Sequence, residues 1–261
     1  MTMTIDTASE VADLTETETA QRDRTAFTIW RIFAWSGAVY ATLGLIFWAG
    51  IAGFLPAPHE SLNADGIKDF FLTNETRIRV GMVGYLFIAS LYLPWSVVIA
   101  RIVTRIEGPY GLLGRVEFFG GIATVFTTLF SGVMWLAASF RTADRSSQDI
   151  QLLSDVGWFI FDMTFVVTLV QMVALGTAIL IDRRSVPYFP KWLGWFCYLM
   201  AFTFVPLVVM PFLQTGPFAW HGLFNYWIAL GAFFAFIYTM TFYVHQAVKR
   251  VEIEELGPRG V

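Results

Sequence analysis

Charge, histidine and cysteine are all scarce in this chain. Of its 261 residues, 14% are charged, against about 25% in ordinary soluble domains. That shortage excludes a soluble globule, and the high apolar content excludes a disordered chain. A single cysteine, Cys197, excludes an internal disulfide, and its apolar setting reads as a structural thiol. The three histidines are His59, His221 and His245. On one helix the last two stand about 36 Å apart, too far to ligate one haem or metal, and no metal-spaced Cys/His/Asp cluster is visible. The three lysines, Lys68, Lys191 and Lys249, fall at expected helix ends, which leaves none for a mid-membrane Schiff base. Walker, paired-aspartate and Gly-x-Ser-x-Gly motifs are missing. So is any basic patch suited to nucleic acid. The expectation is therefore no cofactor, no metal and no nucleic-acid partner.

What the chain has is apolar and aromatic surface. Hydrophobic residues make up 56% and aromatic residues 17%, and the mean hydropathy is +0.61. A bilayer core of about 30 Å needs about 20 mostly apolar residues per helix. Six segments qualify: Trp30 to Phe54, Ile78 to Val103, Gly114 to Phe140, Leu153 to Ile181, Trp192 to Leu213 and Trp220 to Ala247. Barrel strands would be shorter and alternate in polarity. The reading is an all-α, polytopic membrane bundle of six transmembrane helices, residues 29–248. Residues 1–28 read as a disordered acidic tail, with Asp6, Glu10, Asp13, Glu16 and Glu18 ahead of the first basic residue. That acidic start does not suit a signal peptide. Residues 249–261 read as a C-terminal tail.

Orientation follows from lysine and arginine. Twelve of the seventeen lie at the N-terminal end, in the second and fourth loops and at the C-terminal end (Arg22, Arg24, Arg31, Arg101, Arg105, Arg115, Arg183, Arg184, Lys191, Lys249, Arg250 and Arg259). Five lie on the other side: Lys68, Arg77, Arg79, Arg141 and Arg145. This predicts both termini in the cytoplasm and residence in a plasma (inner) membrane. In the first outer loop, Ser61 as an N-cap would start a short interfacial helix; a plain polar loop is the alternative. Trp30, Trp192, Trp195 and Trp220 suit an aromatic belt.

Ionisable groups inside a membrane are costly, so each is a functional hypothesis. Asp162 lies about 13 Å into the fourth helix and must be protonated, paired or hydrated. Asp155, seven residues earlier, shares its face. Candidate partners are Arg77, Arg79, His221 and Asn225. The alternative to a ligand or proton site is a structural bond between helices. Thr124, Thr128 and Ser131, in step with Gly121 and Trp135, form a small polar stripe on the third helix, flanked by Thr127. The stripe lines a cavity or packs a helix pair. Glu117, beside Arg115 and facing the Arg101/Arg105 loop, reads as a structural ion pair. Thr164, Thr168 and Gln171 lie roughly opposite Asp162, which makes the fourth helix polar on two sides and places it inside the bundle. Pro94 and Pro206 predict kinks.

Three stretches, Trp30-Arg-Ile-Phe-Ala-Trp-Ser-Gly, Thr76-Arg-Ile-Arg-Val-Gly-Met and Pro211-Phe-Leu-Gln-Thr-Gly-Pro-Phe-Ala-Trp-His-Gly, together resemble a group of small, uncharacterised multi-span bacterial inner-membrane proteins. The resemblance covers about residues 27–250 and implies bacterial origin and six spans. It carries no activity and no functional residue. Three functions stay open: a binder or transporter of a small apolar or lipid-like molecule, an accessory subunit of a membrane complex, and a cofactor-free isomerase or cyclase with Asp162 as acid. Membrane lipid is an expected partner. Gly37/Ala41 and Gly231/Ala235 would suit a homo-oligomer or contacts within one bundle.

Overall fold

The computed structural model describes residues 7–257, with side chains from Gln21 onward. Every regular element among them is helical: α1 (Thr7–Gly44), α2 (Ala64–Thr73), α3 (Glu75–Ala89), α4 (Tyr92–Glu107), α5 (Leu113–Phe140), α6 (Ser147–Met163), α7 (Phe165–Ile181), α8 (Lys191–Phe202) and α9 (Leu230–Leu256), with π turns at Leu45–Ile51 and Leu223–Ala229 and a 3-10 stretch at Val205–Phe212. Six continuous helical stretches are long and apolar enough to cross a membrane: Gln21–Ile51, Glu75–Glu107, Leu113–Phe140, Ser147–Ile181, Lys191–Phe212 and Leu223–Leu256. This is a multi-pass membrane architecture. Large apolar side chains such as Phe87, Phe119, Phe126, Phe202 and Phe212 face outward, as lipid contact requires.

The ends differ from the sequence reading. Of the expected acidic tail, residues 1–6 lie outside the described residues and the rest of it, from Thr7, is helical. The last helix runs on to Leu256, so most of the expected C-terminal tail is a continuation of the sixth span. Residues 258–261 lie outside the described residues. In the first loop the short helix is α2, but its N-cap is Asn63, whose side chain accepts from the Gly66 N–H at 2.9 Å, rather than Ser61.

Five of the six spans depart from α geometry, the second, fourth and fifth part-way and the first and sixth at one end. Pro94 has no N–H for the Ser90 carbonyl, which accepts from Leu93 instead, and the second span breaks between α3 and α4. Pro206 opens the 3-10 stretch of the fifth span. The fourth span breaks at Thr164 without a proline. There the threonine hydroxyl turns back to the Ile160 carbonyl at 2.8 Å, a side-chain bond that bends helices. The first and sixth spans widen into π turns, which carry no proline at all. Such turns concentrate at functional sites.

Tight approaches hold the bundle together. A Cβ on Gly176 would stand 2.9 Å from the Gly194 carbonyl oxygen, and one on Gly194 would stand 3.0 Å from the Gly176 carbonyl oxygen. α7 and α8 therefore meet backbone to backbone, the use to which membrane helices put small residues. Gly37 is consumed in the same way, under the Trp95 indole, whereas Gly231 has nothing within 4 Å.

Two ends of the bundle are distinct. One carries residues 52–74, 141–146 and 213–222, tied together by the Trp220 indole donating to the Pro58 carbonyl (3.0 Å) and by Lys68 donating to the Arg145 carbonyl (2.6 Å). We call it the first-loop end. The other is clasped by Arg31–Glu252 and Arg105–Glu255 ion pairs and by the Tyr188 hydroxyl on Glu254. Arg184 stacks over the Tyr188 ring at 3.9 Å.

Candidate functional site: a polar cavity between the spans

The interrupted stretches converge on one cavity of about 80 Å³. A polar site needs roughly 10–15 Å³ to hold one water, so this one has room for several waters or a small organic molecule. Part of its wall comes from the irregular segments: Trp48 from the first π turn, Thr164 from the α6–α7 break with Asp162 just before it on α6, Phe204 and Leu207 from the fifth span's break, Asn225 and Ala229 from the second π turn. α5 adds Thr124, Thr127 and Thr128, and Tyr40 and Tyr85 close the side. Phe161, Phe165, Phe233 and Phe234 make the rest apolar.

The wall's polar groups fall into two sets. Most hydroxyls are mutually satisfied. Tyr40 pairs with Thr128 at 3.0 Å, Thr124 with Thr168 at 3.2 Å and Thr127 with Thr164 at 2.7 Å. Others are open. Asp162 Oδ2 is buried with no hydrogen-bond partner in the protein, and so are Asn225 Oδ1 and the Trp48 indole N–H. The Asn225 amide N–H₂ is already committed to the Phe218 carbonyl. Buried polar atoms are ordinarily paired. Two acceptors and one donor left without partners, on residues that share one cavity, are what a bound polar group would satisfy.

Four of the residues expected from sequence line this cavity: Asp162, Thr124, Thr128 and Asn225. The others are placed elsewhere. Ser131 bonds back to the Thr127 and Thr128 carbonyls of its own helix. Trp135 packs on Trp158, with ring centroids 4.9 Å apart. Asp155 is half-buried on α6 and does not reach the wall. Gln171 donates to Glu117 at 2.9 Å and receives the Tyr92 hydroxyl at 3.0 Å. Glu117 is thus held by Gln171 and by the Ser96 hydroxyl (3.0 Å), in place of the expected ion pair; Arg115 is exposed. The physical reason is depth. Glu117 sits a turn inside α5 on its buried face, where neutral donors from α4 and α7 reach it.

Nor do Arg77 and Arg79 reach Asp162. Arg77 donates to the Ile51 and Gly50 carbonyls, each at 3.2 Å. Arg79 donates to the Ser139 carbonyl (2.9 and 2.6 Å) and to Glu75. Each spends its charge on the unpaired carbonyls at a helix end. Thr164 and Thr168 are not opposite Asp162, because the break at Thr164 swings the second half of the span and brings both into the same cavity. Trp48 gave no signal in sequence beyond its aromaticity.

One further cluster corrects the expectation that no metal-type constellation forms. His221 does not begin a helix with His245 at its far end; it lies in the loop before the π turn, and its Nδ1 contacts Glu60. The His59 ring packs on the His221 ring, with centroids 3.3 Å apart. His59, Glu60 and His221 each offer one ligand atom, and these atoms lie within 4.8 Å of one another. The sequence separation of 161 between Glu60 and His221 hid the group.

No protein-family model, curated protein or solved structure matches this chain.

Proposed function

We propose that this multi-pass membrane protein binds a small, mostly apolar molecule in the cavity between its spans, and that Asp162 and Asn225 anchor the molecule's polar group. The observation that carries the reading is the unpartnered Asp162 Oδ2 on the wall of a cavity built from interrupted helices. Irregular backbone at membrane depth is tolerated where it is buried or lines a cavity, and broken helices build the substrate sites of many transporters. The aromatic wall gives the ligand an apolar body; the carboxyl and the carboxamide oxygen give it a polar end. The charge distribution supports a cytoplasmic location for both termini: twelve lysines and arginines on the terminal side against five on the other. That arrangement, with the loose likeness to bacterial inner-membrane proteins, supports residence in such a membrane.

Native mass spectrometry of protein released in mild detergent tests the reading. The wild type is expected to carry a discrete small molecule other than phospholipid. Asp162→Asn and Asn225→Leu, which nearly preserve side-chain size, are expected to lose it. A wild type with bulk phospholipid alone, or variants that retain the molecule at the same occupancy, would overturn it.

A further inference from the structure

The geometry points to a divalent transition-metal site at the first-loop end, with His59, Glu60 and His221 as its protein ligands. None of these three residues lines the cavity.

The residue before His59 and the residue before His221 are joined directly, since the Trp220 indole donates to the Pro58 carbonyl at 3.0 Å. Tyr226 reaches back to the Phe54 carbonyl from the other side of the same loop. Two segments far apart in sequence are therefore locked together immediately beside the cluster. Pre-organisation of this kind is what a metal site needs, because ligands must be held before the ion arrives.

The ion-pair contact of Glu60 with His221 leaves part of the cluster unsatisfied. Glu60 has a side chain 3% exposed. One carboxylate oxygen, Oε2, meets His221 Nδ1; the other, Oε1, is buried with no hydrogen-bond partner. A simple Glu–His pair would also have no use for a second imidazole, yet His59 is pressed against His221 ring on ring. A cation shared by the three groups satisfies the orphan oxygen and accounts for the juxtaposition of two nitrogen ligands with one carboxylate. The Ser61 hydroxyl stands 3.2 Å from His59 Nδ1, an outer contact that fixes the ring and leaves Nε2 for the ion.

Ligand chemistry selects the ion. Two imidazoles and one carboxylate suit zinc and its first-row neighbours. Calcium and magnesium require sets of six or more oxygens, counting water. Tetrahedral zinc places its ligand atoms about 3.3 Å apart, given bond lengths of about 2.0 Å. Three protein ligands leave a fourth position for water or a further ligand, as in open zinc sites.

Zinc binding by the untagged, full-length protein in detergent tests the assignment, with titration calorimetry and metal analysis after removal of free ion. One zinc per chain is expected in the wild type. His59→Ala, Glu60→Gln and His221→Ala are each expected to weaken binding at least about tenfold, since loss of an outer-shell partner alone costs 10- to 100-fold. His59 is exposed, so its removal leaves the fold in place, and unchanged thermal unfolding of that variant in chelator confirms this. Cobalt substitution should give the visible absorption of a low-coordinate site that disappears with His59→Ala. No zinc on the wild type, or zinc retained undiminished by all three variants, overturns the proposal.

Discussion

The indole N–H of Trp220 donates to the carbonyl of Pro58 across 3.0 Å, and this bond helps join the first loop to the loop ahead of the sixth span. Both partners are buried. Trp220→Phe keeps the ring and removes the donor, so the Pro58 carbonyl is left unpaired. The expected cost is about 1–3 kcal/mol. Hydrogen exchange should speed up in residues 52–63 and stay unchanged in α7 and α8.

A second prediction concerns the contact of α7 with α8. Gly194→Val places a branched side chain against Leu180 and the Gly176 carbonyl, where even a Cβ has no room. Overpacking of this kind typically costs about 1–3 kcal/mol, and thermal unfolding in detergent should fall accordingly. Gly231→Ala, at a position with open space around it, should leave the unfolding temperature unchanged.

The terminal-side clasp separates two ion pairs by burial. Glu252 is 2% exposed and Glu255 is 51% exposed at the side chain. Arg31→Ala strands a buried carboxylate and is expected to cost more, about 2–4 kcal/mol. Arg105→Ala breaks a surface pair, expected to be worth less than about 1 kcal/mol and to fade with salt. Unfolding of the two variants at low and high ionic strength checks both the order and the salt effect.

Glu117 is held by neutral donors. A double-mutant cycle of Gln171→Ala with Glu117→Ala should show coupling of about 0.5–1 kcal/mol, the range found for hydrogen bonds between membrane helices. Strict additivity would mean that this bond contributes nothing to stability.

Much of the fold was legible because membrane spans are written in composition. Twenty-residue apolar runs, the two mid-span prolines and the separation of arginines named six helices and two of the breaks. The site was legible in part. Asp162, Thr124 and Thr128 stood out because polar residues at membrane depth are rare. What could not be read was anything depending on the path of the backbone. The break at Thr164 has no proline to announce it, and it moves Thr164 and Thr168 from the far side of the helix into the cavity with Asp162. The π turns of the first and sixth spans carry Trp48 and Asn225 to the wall; Asn225 stands out in the sequence as a candidate partner of Asp162 and Trp48 does not, and nothing in local sequence distinguishes the turns from α-helix. Arg77 and Arg79 were natural partners for Asp162 by side and charge, yet unpaired carbonyls at nearby helix ends claimed them first. His59, Glu60 and His221 come together only through a loop closure that spacing does not reveal.

The central claim is that the cavity at Asp162 is a ligand site. The most direct measurement is a high-resolution cryo-electron microscopy map of the protein in lipid nanodiscs, prepared without added ligand. The account predicts discrete non-protein density in the cavity, within hydrogen-bonding distance of Asp162 Oδ2 and bounded by Trp48 and Phe233. A cavity closed by its own side chains, with Asp162 bonded to another residue of the chain, would contradict it.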